Sequence, residues 1–485
     1  MNTFNGWREC LTFNHMPSLF CPLLMLVVVL FPNTGISQSD SAPTSNSRLA
    51  DTQRYEAQIE DFESEFGPMD NRLLEPLAGL ISILVEQRQF ERVVQIQNRQ
   101  LSILRTNLGF ENLDLLPVLR NMIQVQQALG NWEASSDHLE HIRFLIAANF
   151  GQKSEELLIS MDNQAQWKLA GFYLDDERRQ SANFLDARDL YRDMERLAEE
   201  VYGEESPELY QWYYKRAYNL ALMVQLLNTE DSFAQAFITD VIRADGTMRL
   251  QTTGRLSGTR LSPIGVWNIR DQSFVLGEGY LRQARDLMSR IREIAEIEND
   301  KEVQAIAEIY RGDYNLLMGR GSGRRQYTDA QEILLEAGVP PSEIEEFFST
   351  PMPIPLPEFY SSFSDLLTYQ RSVLKAVDEI SDSTMHLGVF NAWHENARAV
   401  LKPIGDDPLL QIGLPQYLVD LTFNISTRGR ASSVDVIKSV PDDRRVAREG
   451  SRAIREIQFR PAYEGNKATR VRDARMRYLF AQELK

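Results

Sequence analysis

QRQFERV (87–93) and LGNWEAS (129–135) set two aromatic residues, Phe90 and Trp132, 42 residues apart. Gly67, Gly109 and Gly151 recur at the same interval, and Pro76 and Pro117 nearly do, one residue out of step. Each interval reads as two amphipathic helices, with the aromatic residue opening the second. Self-similarity at this period signals a helical solenoid: one hairpin cannot bury its apolar face alone, and stacked neighbours bury it for each other. The third interval departs from the period, since Gly151 and Gly203 are 52 residues apart. DDERRQSANF (175–184) is expected to lengthen the turn between its two helices.

Gly130-Asn131-Trp132-Glu133-Ala134-Ser135 places a Gly, then an aromatic residue, then a small residue three positions later. Phe184 with Ala187 follows the same pattern, as does Tyr327 with Ala330, with Ala337 seven residues further on. These residues resemble tetratricopeptide repeats, nearest the long 42-residue version of kinesin light chain. The resemblance covers 50–228 and, more loosely, 274–340. It implies that a bulky ring at Phe90, Trp132, Phe184 and Tyr327 fills the gap inside a hairpin, while a small residue at Ala187 and Ala330 admits the neighbouring helix. The solenoid is expected over 50–348, with an irregular insert at 229–273 where RADGTMRLQTTGRLSGTRLSPIGVW loses helical pattern.

TPMPIPLPEF (350–359) follows, within a Pro-rich segment at 349–359. Its four prolines break any helix and favour polyproline II. A helix pair is expected at 360–402, then PIGDDP (403–408) as a linker, then a C-terminal domain at 409–485. In YLVDLTFNIS (417–426), Tyr417, Val419, Leu421, Phe423 and Ile425 alternate with polar residues, the mark of a half-buried strand. Gly429 supplies a tight turn. A second strand is expected at 431–438 with Val434 and Val436 inward. A helix opened by Pro441 and Asp442 follows, with Val446, Gly450, Ala453 and Ile457 on its inner face. In a last strand at 468–480 the inward parity slips between Val471 and Ala474, which predicts a β-bulge near Asp473.

Strand, strand, helix, then Phe459-Arg460-Pro461 and a final strand resemble the C-terminal domain of the TonB family. That resemblance implies a small α+β (β-β-α-β) module that binds an extended peptide, for example from an outer-membrane transporter, by strand addition to an exposed final strand. Arg470, Arg472, Arg475 and Arg477 would suit an acidic partner there. The alternative reading gives those charges only the task of blocking edge-to-edge aggregation. As a separate module, 409–485 is expected to be removable without unfolding the solenoid. The fold class expected is therefore mostly α, a tetratricopeptide-like α-solenoid followed by this TonB-like module.

Charge and targeting signals narrow the function. The 485-residue chain carries a net −17, with +6 over 416–485 and hence −23 over 1–415. An acidic chain argues against nucleic acid as a partner. The apolar run Leu19–Phe31 is too short for a transmembrane helix, which needs roughly 20 residues. With Gly35 and Ser37 placed like a cleavage site, it reads as a signal peptide over 1–37 followed by a polar linker at 38–49. An uncleaved membrane anchor is the competing reading. Both cysteines, Cys10 and Cys21, fall inside this segment, so the mature chain has no disulfide or thiolate chemistry. His138 and His141 lie three apart without further ligands nearby, and read as ordinary solvent-facing histidines. His386 and His394 lack a nucleophile motif, and GRGSGRR (319–325) lacks the Lys-Ser/Thr of a P-loop. No cofactor motif is present. The sequence thus points to a periplasmic, non-enzymatic interaction scaffold of a Gram-negative bacterium, with protein partners on the solenoid's concave face and on the C-terminal domain. A membrane-anchored accessory to TonB-like energy transduction is the alternative.

Overall fold

The computed structural model describes residues 45–175, 177–229, 265–268, 273–276, 278–319, 323–375, 385–391 and 416–481. The signal peptide, most of the 38–49 linker, most of the 229–273 insert and residues 392–408 lie outside them. The described chain is mostly helical, with a small sheet near its C-terminal end. It forms two compact units that divide between Asn163 and Gln164.

The first unit holds α1 (Ser45–Phe66), α2 (Leu74–Glu86), α3 (Phe90–Leu108), α4 (Leu116–Ala128), α5 (Trp132–Phe150) and the start of α6 (Glu155–Leu174). The 42-residue interval is carried into the element bounds: α2 and α4 have 13 residues each, α3 and α5 have 19 each, and both pairs begin 42 apart. Local chemistry repeats with it. Asp70 and Asn112 each cap a short 3-10 turn, accepting from the amides of Arg72 and Asp114 at 2.9 and 2.8 Å. Gly109 and Gly151 end α3 and α5 with φ of 91° and 94°, a conformation that a Cβ would strain. The helices close on a core of Leu73, Leu77, Leu80, Leu84, Val93, Ile103 and Val125, with Phe90 packed at its margin.

Past Asn163, the ten extra residues of the third interval lengthen helices rather than a turn. α6 has 20 residues and α7 (Glu177–Tyr202) has 26. DDERRQSANF contains no Gly or Pro, so nothing stops the helix from starting at Glu177, which corrects the expected long turn. Phe184 is fully buried, meeting Phe172 edge to face at 5.3 Å.

The second unit continues with α8 (Leu209–Thr229), α9 (Glu278–Ile297), α10 (Lys301–Leu317), α11 (Arg324–Glu336), α12 (Pro341–Ser349) and α13 (Phe363–Lys375). Each of α7 to α10 packs on the next helix in the chain. The described part of the insert is an antiparallel pair, β1 (Gly265–Asn268) with β2 (Ser273–Leu276), Trp267 lying opposite Phe274.

The same unit carries β3 (Met352–Ile354), β4 (His386–Asn391), β5 (Gln416–Ile425), β6 (Ala431–Val440), α14 (Arg444–Glu456), β7 (Gln458–Arg460), β8 (Tyr463–Glu464), β9 (Lys467–Ala468) and β10 (Val471–Ala481). The four-stranded sheet runs β4-β10-β5-β6 with β4 parallel to β10 and the other pairs antiparallel. Val419, Leu421, Phe423 and Ile425 face α14 in a core completed by Val446, Ile454, Ile457, Ala474, Met476, Tyr478 and Phe480. Gly450 lets α14 close on β5, since a Cβ there would meet Val419 at 2.8 Å. The bulge lies where the parity slip put it: Asp473 has φ 53° and the register shifts between Val471 and Ala474.

Within the expected helix pair at 360–402, α13 and strand β4 are the described elements, and the rest lies outside the described residues. Three expectations are corrected. The Pro-rich segment is not free polyproline II, because Met352–Ile354 pairs antiparallel with β7 and is buried. Val436 is exposed rather than inward, since register shifts on either side of it re-aim the strand; Ser433, within one of them, has φ 52°. On α14, Ile454 is the buried residue and Ala453 only flanks the core.

Candidate functional site

The expected peptide-binding edge is taken. β10 is an inner strand, with β5 on one side and β4 on the other, and the Arg475 amide donates to the carbonyl of Met385 at 2.9 Å. Segment 386–391 of this chain therefore holds the place that the sequence reading gave to a partner peptide. The four arginines do not form one row. Arg470 precedes β10 and Arg472 flanks the bulge, both exposed. Arg475 and Arg477 lie on the sheet face away from α14, opposite Thr422 and Asp420. Arg477 pairs bidentately with Asp420 at 2.7 and 3.0 Å, so half the set is built into the sheet. His386 lies beside these groups. Burial lowers its pKa, Asp420 opposes that, and Arg477 and Arg475 reinforce it.

The most unusual chemistry in the second unit is a buried ion pair. Arg460 of β7 donates through Nε and Nη2 to the two carboxylate oxygens of Asp313 on α10, at 3.0 and 2.6 Å. The two side chains are 0% and 1% exposed. The Tyr327 hydroxyl donates to Asp313 at 2.7 Å, and the Phe347 ring lies 4.9 Å from the guanidinium. Burial alone would lower the pKa of Arg460, and the charge and hydrogen bonds of Asp313 override it, so the pKa is raised. Tyr327, fully buried and next to that carboxylate, is pushed well above its ordinary value. Its ring fits because Gly312 and Gly323 flank it; a Cβ on either would stand 2.6 or 2.7 Å from the ring. Ala330 is buried beside it on α11, and Tyr463 meets the ring edge-on at 5.4 Å. Further bonds join the helices to the Pro-rich segment: the Tyr214 hydroxyl donates to the Leu356 carbonyl at 2.6 Å and that of Tyr310 to Glu358 at 2.9 Å. The expectation of a removable 409–485 therefore meets a unit in which 416–481 and the helices from 164 onward are one compact body.

The sequence reading passed over both partners of that pair. Arg460 was only the middle of a Phe-x-Pro step. Asp313 did carry a signal, because it occupies a core position of an apolar stripe with Ile306, Ile309, Tyr310 and Leu316. An acid on such a face needs a buried cation.

In the first unit Trp132 is buried and Phe90 half-buried. Phe66, Leu108 and Phe150, each the last residue of its helix, form a series the reading missed. They stand 42 apart and are 36%, 39% and 37% exposed. Met69 and Phe110 add exposed apolar surface in the loops that follow. Those loops are pinned: Asn107 donates to the Met69 carbonyl at 2.7 Å, and Asn149, 42 residues on, to that of Glu111 at 2.6 Å. A shallow open depression lined by Leu108–Asn112 lies on this ridge. The signal was available, since an apolar residue precedes each recurring Gly.

His138 and His141 are not plain solvent-facing groups. Nδ1 of His141 lies 2.9 Å from Nη2 of Arg105, and Nε2 of His138 is buried without a hydrogen-bond partner. Burial lowers both pKa values; Arg105 and the neighbouring histidine add to this at His138, and Asp137 opposes it. Among the described residues no three His, Cys, Asp or Glu side chains assemble as a metal site, and no helix is long and apolar enough to cross a membrane. No protein-family model matches the chain, and no curated protein matches it.

Proposed function

We propose that the protein is a non-enzymatic scaffold, exported to the periplasm, whose tetratricopeptide-like solenoid binds a protein partner and whose TonB-like module is joined to it as a structural end piece. The observation that carries the reading is the series Phe66, Leu108 and Phe150. Exposed apolar side chains at a fixed repeat interval offer an extended or helical partner equally spaced contacts, and repeated units are suited to binding of this kind. The element order β5-β6-α14-β10, with Gly429 in the first turn and Phe459–Pro461 before the last strand, supports the TonB-like assignment. Strand addition at β10 is not part of the proposal, since β4 fills that edge.

The test is a triple substitution, Phe66→Ser, Leu108→Ser and Phe150→Ser, compared with wild type in crosslinking inside a Gram-negative host, with the partners identified by mass. Because all three side chains are partly exposed, the fold is expected to survive and the crosslinked partners to disappear. Unchanged crosslinks would remove the ridge from the function. The same expression gives the intact mass. Loss of about the first 37 residues agrees with the signal-peptide boundary and export. A full-length protein in the inner-membrane fraction would replace export with anchoring.

A further inference from the structure

α14 has a second face that neither reading uses. Its sequence RRVAREGSRAIRE buries Val446, Gly450 and Ile454 against the sheet. Arg444, Arg445, Arg448, Arg452 and Arg455 all lie exposed on the opposite side. At about 100° of rotation and 1.5 Å of rise per residue, they fall within an arc of roughly 100° along about 17 Å of helix. Arg452 pairs with Glu449; the guanidinium groups of Arg444, Arg445, Arg448 and Arg455 form no ion pair among the described residues, although the Arg445 amide donates to the capping Asp443 carboxylate. Two further arginines lie just past the helix end. The turn bearing Arg428 and Arg430 is bonded to Gln458 and Phe459, just beyond α14: the Gln458 side chain donates to the Arg428 carbonyl at 2.8 Å and the Phe459 amide to that of Gly429 at 2.9 Å. The neighbouring strand β6, which packs on α14, adds exposed aliphatic side chains at Val436 and Ile437.

We propose that this face docks the protein on an anionic phospholipid surface. Three features favour that occupant. The cations on the helix are all arginine, whose planar guanidinium grips a phosphate through two hydrogen bonds. They are spread along a rod rather than gathered around a pocket, as many separate headgroups require. Two exposed aliphatic side chains lie on the strand that packs on α14, and basic plus apolar contacts together make interfacial binding. The acid excess of the rest of the chain does not cancel the attraction, because exposed charges farther than about 8 Å are screened at physiological salt.

The experiment is co-sedimentation of the full chain with phosphatidylcholine vesicles, with and without phosphatidylglycerol, beside retention on immobilised polyglutamate. Wild type is expected to pellet only with the anionic vesicles, and less as salt rises. Arg445→Gln, Arg448→Gln and Arg455→Gln combined should weaken this at least about tenfold, given roughly 1 kcal/mol per basic residue near such a surface. Equal charge removal at the exposed Arg54, Arg196 and Arg325 should leave it intact. The double variant Arg444→Gln, Arg448→Gln serves if the triple does not fold. A wild type that ignores the vesicles, or an arc variant that still pellets fully, overturns the proposal. Arc-dependent retention on polyglutamate without vesicle binding also overturns it, and makes the occupant an acidic protein.

Discussion

The hairpins of the first unit and the Arg460 junction of the second are held together in opposite ways. In the hairpins the same contact is made again 42 residues later, and its polar version tolerates exchange. Arg99 of α3 reaches Glu63 of α1, whereas at the equivalent positions His141 of α5 reaches Arg105 of α3, so an ion pair is replaced by a contact with no acid in it. The apolar core beneath does not change character. At the junction one carboxylate and one guanidinium, 147 residues apart, meet fully buried, and among the described residues they have no second copy. Repetition spreads stability over many modest terms, while the junction concentrates it in a pair whose members are costly apart.

Removing one member breaks that contrast most sharply. Arg460→Met leaves Asp313 buried and uncompensated and should cost about 3–5 kcal/mol in a urea titration. Replacing both, Asp313→Leu with Arg460→Met, should restore much of it; a double variant no better than the single would show that shape rather than charge holds the junction. Truncation before residue 409 strands Asp313 in the same way, so the shortened chain should melt at a lower temperature.

Within the hairpins, one pair of equivalent positions sharpens the comparison. Trp132 is buried where Phe90 is half-buried. Trp132→Ala should therefore cost about 3–5 kcal/mol and Phe90→Ala about half as much, read by calorimetry. Equal losses would mean that burial does not grade the repeat.

Acid should act on the first unit through His138 and His141. Their folded pKa values lie below the ordinary one, so the unfolded chain binds protons first. Stability is then complete above about pH 6.5 and falls as pH drops toward the lowered folded values. Thermal scans from neutral to acid pH should show the fall, and His138→Gln with His141→Gln should flatten it. The smallest effect belongs to Arg371 and Glu346, a bidentate pair at 2.7 Å for both bonds but exposed. Arg371→Ala should leave the melting temperature almost unchanged, in contrast to Arg460→Met with the same bidentate geometry. Burial, not bond count, separates the two.

How much could be read in advance follows the same division. Periodic features were legible: helices starting at Phe90 and Trp132, the alternation of β5, and the bulge at Asp473, where a parity slip is visible in the letters. Features made by distant pairing were not. TPMPIPLPEF gives no local sign that Met352–Ile354 will find β7, and nothing in HLGVFN says that it will lie parallel to β10. The candidate sites divide likewise. The apolar ridge was written at fixed spacing and overlooked, whereas Asp313 announced a need without naming Arg460.

The position of β4 bears on the order of events as the chain is made. His386 lies opposite Arg475, and Met352 opposite Arg460, so the first strands of the module are finished by its last. A chain emerging from its N-terminal end can complete the hairpins of the first unit while synthesis continues. The second unit cannot close that way: Asp313 waits for Arg460, and β4 waits for β10, until residues 460–481 have been made. A truncation that removes those residues should therefore be felt far upstream of the break.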